Sequence, residues 1–315
     1  MLLNYQFLLF TGKGGVGKST IAVATALKAV EQGMRPLIVE MNDRASLHAI
    51  LRSKEETCYE PREIGHGVWG MNLEFEPSLL EYLQAHVPVS RLVDAMGKNR
   101  ALQRFFKAAP AVAEVASLHK LASLVEESER GRSRWDLVIV DLEATGHALM
   151  LLDLPNVMEG LIGKSPLKKL FERVSKLLSN RQRTRLNFVT LPQELPVQET
   201  SEIYHRISER DDIPLGWVFV NQIPIDPLSE RCRPWMKPLQ ERAEAHNQKF
   251  VASALQLAER NSLRAEEARR QIERLREKVD LPFVELFQMA AIDGGPSELL
   301  RLANGVFEQM QGGGS

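Results

Sequence analysis

The sequence predicts an α/β fold, a doubly wound and mostly parallel sheet with additional helical elements, and three observations carry that expectation. Short apolar runs recur at Tyr5 to Phe10, Pro36 to Glu40, Val68 to Phe75, Leu137 to Asp141, Leu186 to Thr190, Trp217 to Asn221 and Pro282 to Leu286, with helical stretches between them. Several runs are continuous rather than alternating, as strands covered on both faces are. The first run ends in a glycine-rich segment that opens onto an alanine-rich helical stretch. In such sheets ligands gather at strand ends.

The segment after the first strand is Thr11-Gly12-Lys13-Gly14-Gly15-Val16-Gly17-Lys18-Ser19-Thr20. Its spacing is that of a P-loop. Gly12, Gly14, Gly15 and Gly17 allow tight turning, so that backbone N–H groups, including those of Val16 and Thr20, and a helix N-terminus converge on one anion. Lys18 would pair the β- and γ-phosphates of ATP, and the Ser19 hydroxyl would hold Mg²⁺. The second strand runs into Glu40-Met41-Asn42-Asp43-Arg44-Ala45-Ser46-Leu47. Further on, Trp135 to Asp141 is an apolar strand ending in an acid, where a carboxylate can hold magnesium, directly or through water.

Three helical stretches exceed the minimal sheet-and-helix unit, at about 88–127, 157–180 and 228–279 of a single domain spanning 1–311; residues 312–315 read as linker or tag. In the second, Leu167, Leu170, Phe171, Val174, Leu177 and Leu178 share one side, and Lys168, Lys169, Arg173 and Lys176 the other. That side either packs on the core or docks on a partner or anionic surface. In the third, Val251, Ala254, Ala258, Asn261, Ala265, Ala268, Ile272, Leu275 and Val279 repeat at three and four, a heptad seam. It fits an internal helical hairpin or an arm that recruits a partner.

Composition narrows the function classes. The 315 residues carry 40 basic against 41 acidic side chains and 44% hydrophobic residues, enough for a sizeable core without a field favouring nucleic acid or an anionic membrane. Membrane contact is expected to be peripheral at most. Cys58 and Cys232 lie far apart with no CxxC, which fits a reducing cytoplasm and argues against a thiol metal site. Neither a basic n-region with a cleavage site nor an apolar run of about 18 residues is present, so a cytoplasmic protein is expected.

The run Lys13-Gly14-Gly15-Val16-Gly17-Lys18-Ser19-Thr20 resembles the deviant Walker A motif of the ParA, MinD, nitrogenase iron protein and arsenite-pump (ArsA-type) ATPases. That resemblance implies a dimer in which Lys13 reaches the partner's nucleotide and acts on charge developing at the γ-phosphate. The bland alternative is a solvated loop lysine. Asp141-Leu142-Glu143-Ala144-Thr145-Gly146-His147, followed by Leu151-Leu152-Asp153-Leu154-Pro155, resembles the switch II segment of the arsenite-pump and tail-anchored-protein-targeting ATPases. It implies that Gly146 contacts the γ-phosphate and that His147 rides a segment sensing it. Gly70 to Pro77, Leu191 to Thr200, Val220-Asn221-Gln222 and Ile292 to Leu299 resemble further family segments, in the family's order. Within them Asn221 would read the base edge, since an amide offers both donor and acceptor.

Departures from the family pattern matter equally. Asn42 stands where the resemblance expects a switch I aspartate that orients water, and an amide cannot take the proton. Hydrolysis is therefore expected to be slow, with Asp43 or Glu143 as substitutes. The segment Val39 to Leu47 is similar to that of a bacterial branch in which paralogous subunits pair, so a heterodimer stands beside a homodimer. Missing cysteines disfavour an arsenite site, and 10 methionines do not suggest a large client groove. The implied activity is an ATP-driven conformational switch acting on a protein client or partner. A non-hydrolysing ATP-bound scaffold is the alternative. A ParA/MinD-like positioning role would need a basic patch or membrane-binding tail that the last helix, Pro296 to Gln309, lacks.

Overall fold

The computed structural model describes residues 1–41, 46–86, 110–129, 131–142, 166–210, 212–289 and 295–312. The strands β1 (Phe7–Thr11), β2 (Pro36–Glu40), β3 (Arg62–Glu63) and β4 (Trp69–Asn72) are interleaved with helices α1 (Lys18–Glu31) and α2 (Leu47–Leu51). Next come α3 (Phe75–His86), α4 (Pro110–Glu126), a small ribbon of β5 (Ser128–Glu129) and β6 (Arg132–Ser133), β7 (Leu137–Asp141) and α5 (Pro166–Leu178). The chain continues through β8 (Thr184–Thr190), α6 (Glu194–Ser208), β9 (Leu215–Ile223), α7 (Arg233–Ala245), α8 (Lys249–Lys278), β10 (Phe283–Phe287) and α9 (Pro296–Gly312).

The main sheet has the order β10-β9-β8-β1-β7-β2-β4-β3, parallel throughout except where β3 runs against β4. Alternate residues of each strand feed two cores, because successive side chains leave opposite faces. Phe7, Leu9, Val138, Val140, Leu186 and Phe188 join α4, α5 and α6 on one face. Leu8, Phe10, Ile38, Ile139, Val189 and Phe219 join α1 and α9 on the other. This is why the runs read as continuously apolar. Chain order reverses direction at β1, whose neighbours are β7 and β8. That switch point opens a crevice at the carboxyl ends of the strands.

Several expectations shift at their edges. The run Val68 to Phe75 is a strand only over Trp69–Asn72, and Phe75 already begins α3. Glu76 and Pro77 fall in that first turn, where a fixed φ and a negative charge both favour helix. The apolar side of α5 is core: Leu170, Phe171, Val174, Leu177 and Leu178 are all buried. The seam of the third stretch divides. Ala265, Ala268, Ile272, Leu275 and Val279 are buried, whereas Val251 and Ala254 are exposed. The repeat is continuous, but it is covered over its second half only. The helix α9 runs through Gly312, the first residue of the expected tail. Among the described residues no helix is long and apolar enough to cross a membrane.

Candidate functional site

The site forms where β1, β7 and β2 end side by side. Parallel register places Phe10 beside Asp141, and Asp141 beside Glu40. The loop leaving β1 needs its glycines for two separate reasons. A Cβ on Gly12 would lie 2.0 Å from the Val189 carbonyl oxygen of β8, and Gly17, in the left-handed region at φ 96°, would drive one to 2.3 Å from Asn221 Nδ2. Backbone conformations with positive φ suit glycine, which has no Cβ to clash. Gly17 is the N-cap of α1, so the helix begins at Lys18 with its first-turn N–H groups facing the loop.

Lys18 is buried, and its Nζ donates to the carbonyl oxygens of Gly12 at 3.1 Å and Lys13 at 3.3 Å. Ser19 Oγ donates to Asp141 Oδ2. Asp141 is fully buried, and its other oxygen, Oδ1, has no hydrogen-bond partner. Burial pushes the Asp141 carboxyl up to about 6; the Ser19 bond and the Lys18 charge oppose the rise, and Glu40 adds to it. A buried acceptor oxygen left over beside a serine hydroxyl fits a hard divalent cation, which takes oxygen ligands. Ser19 and Asp141 are the residues that would hold Mg²⁺.

Glu40 has the same depth and a different surrounding. Its Oε1 accepts from Ser46 N and Ser46 Oγ, both at 2.7 Å, and from Leu47 N at 3.3 Å. Its Oε2 accepts from Thr57 Oγ1 at 2.7 Å. Nothing in the sequence marks this role, since Ser46 and Thr57 reach Glu40 only through folding. The hint is that β2, like β7, is an apolar strand closed by an acid.

Asn221 lies at the end of β9, where its Nδ2 donates to Val16 O at 2.9 Å and its Oδ1 accepts from Gln222 N at 2.9 Å. It therefore braces the P-loop from a strand two places away. Beyond it a cleft of about 940 Å3 opens between the ends of β8, β9 and β10 and the flank of α8, lined among others by Gln193, Gln222, Ile225, Arg264 and Met289. Gln222 is itself in the left-handed region at φ 56°. Lys13 projects toward α6, its Nζ 2.6 Å from Glu199 Oε1. Sequence reasoning singled out neither Glu40 nor Glu199. Asn42, Asp43, Glu143, Gly146 and His147 lie outside the described residues.

The family described as anion-transporting ATPase matches residues 5–169. The chain is 31% identical over 226 residues to ATPase BagA of Mycobacterium tuberculosis, covering 70% of this chain and 66% of that protein. It is 28% identical over 235 residues to a putative arsenical pump-driving ATPase of Halobacterium salinarum and 26% identical over 218 residues to an arsenical pump-driving ATPase of Escherichia coli. Those two alignments span 35% and 37% of the relatives' lengths, so the chain matches about two thirds of one kind of relative and about a third of the other.

Proposed function

We propose, from the fact that this chain belongs to the anion-transporting ATPase family, that it binds ATP with Mg²⁺ and hydrolyses it as a nucleotide-driven switch between two associated chains. The observation that supports this most is the triad of Lys18, Ser19 and Asp141, with one carboxylate oxygen left without a donor. Loop N–H groups and Lys18 take the phosphates, because a helix N-terminus and an ammonium together neutralise most of an anion's charge. Ser19 and Asp141 hold the cation, which neutralises charge building on the transferred phosphoryl group. The nucleoside extends past Asn221 into the cleft beside α8.

Lys13 serves the nucleotide of the second chain, identical or paralogous, and closure on ATP followed by relaxation on hydrolysis gives a partner two different surfaces. Cytoplasmic residence, with a protein client and without nucleic acid, fits the balanced charge and the two unpaired thiols. Asn42 favours slow turnover, which leaves the ATP-bound scaffold as the second reading. Calorimetry on wild type and Lys18→Ala, paired with phosphate release and sedimentation with and without ATP, tests the proposal. Lys18→Ala should weaken ATP binding by roughly 10²-fold, about two charge-assisted hydrogen bonds' worth. Unchanged affinity would remove the P-loop assignment, and stable ATP retention without phosphate release would favour the scaffold.

A further inference from the structure

Lys13 and Glu199 meet within one chain although 186 positions separate them. The backbone of Lys13 is held in place, since its carbonyl accepts from Lys18 Nζ at 3.3 Å. Its side chain and that of Glu199 each keep about a third of their surface exposed, so the ion pair lies at the edge of the protein rather than in its core. Glu199 sits in the second turn of α6, a helix carried by β8, and β8 also supplies the carbonyl against which Gly12 rests. The loop and the carboxylate are thus fixed to the same strand, and the 2.6 Å contact is built into the fold of a single protomer.

We propose that Glu199 is a positioning residue that holds Lys13 on its own chain and thereby sets the threshold for ATP-driven association. The inference rests on the reading that Lys13 serves the second chain's nucleotide. A lysine ammonium is a compact point charge, and turning it toward a phosphate across an interface gives up its contact with Glu199. In a twofold dimer the loss occurs twice, once per protomer, because the two interface patches are the same. Exposed ion pairs contribute modestly, so each release is equivalent to a factor of about 1.4 to 5, and a pair of releases to roughly 2 to 30.

The test is sedimentation of the full chain with ATP and Mg²⁺ across a protein concentration series. Glu199→Gln, which keeps size and removes charge, should tighten the dimer dissociation constant by roughly 2- to 30-fold while leaving the monomer's ATP affinity unchanged and lowering its melting temperature by no more than about 4 °C. The same substitution in a Lys13→Ala background should do nothing, because the pair it breaks no longer exists, whereas a merely structural effect would persist there. Glu199→Ala should repeat the result if the glutamine variant folds poorly. Wild type that dimerises with ATP alongside a Glu199→Gln protein of equal or weaker association overturns the holding role alone. Wild type that stays monomeric with ATP overturns the dimer reading, and this inference with it.

Discussion

Two acids end adjacent strands of the same sheet, fully buried and paired in register, yet Glu40 and Asp141 are opposites. Every oxygen of Glu40 is spoken for by protein donors: two backbone N–H groups and two hydroxyls. Asp141 receives one hydroxyl and keeps a bare oxygen. Burial of a charge is costly unless hydrogen bonds compensate it. A fully compensated carboxylate is architecture on this reading, and the incompletely compensated Asp141 is the one we propose to hold the cation.

Removing Glu40 should have the largest effect of the three substitutions that test this contrast. Glu40→Ala leaves four donors without their acceptor, two of them buried and two half-buried, and we expect a loss of about 4 kcal/mol in urea unfolding, from hydrogen bonds to a charged group worth about 1.5–3 kcal/mol each with partial relaxation. A loss below about 1 kcal/mol would break the contrast from the architectural side.

Asn42 follows Glu40 by two positions in the sequence, and Asn42→Asp supplies a carboxylate able to accept a proton. Phosphate release should rise by roughly 10²-fold, the lower end of general-base contributions, with ATP affinity little changed. Brisk wild-type turnover that ignores the substitution would make Asn42 a bystander and direct attention to Asp43 or Glu143.

Asp141→Asn should act in the reverse sense to Glu40→Ala. The neutral amide removes the cost of a buried charge, so the metal-free protein should keep its stability to within about 1 kcal/mol. Mg²⁺ affinity of the ATP complex should nevertheless fall by about 10- to 100-fold, as when a residue supporting a metal is lost. If titration with Mg²⁺ finds the same midpoint in both proteins, the bare oxygen has another purpose.

The division between what could and could not be read in advance follows the range of the forces involved. The P-loop was legible because its glycines answer to backbone geometry, which is local, and the strand ending in Asp141 because seven successive residues carry it. The division of strand residues between two cores followed from their continuous apolarity. The bonds of Glu40, the brace from Asn221 to Val16 and the Lys13–Glu199 pair were not legible, since each joins residues brought together only by the sheet order. The heptad repeat on α8 failed differently. Periodicity tells which residues share a face, but not whether anything covers it, and the face is bare at Val251 and Ala254.

The seating of the P-loop has a consequence for how this chain comes into being. All of the motif's own residues are made within the first 20, but the loop leans on Val189 at one glycine and on Asn221 at another. During vectorial synthesis the motif is complete long before its supports emerge, and contacts that span such separations form late and slowly. A nascent or C-terminally nicked chain that ends before β9 would carry the whole phosphate-binding motif without Asn221 beneath it. Capacity for nucleotide is, in that sense, a certificate that most of the sheet has been assembled.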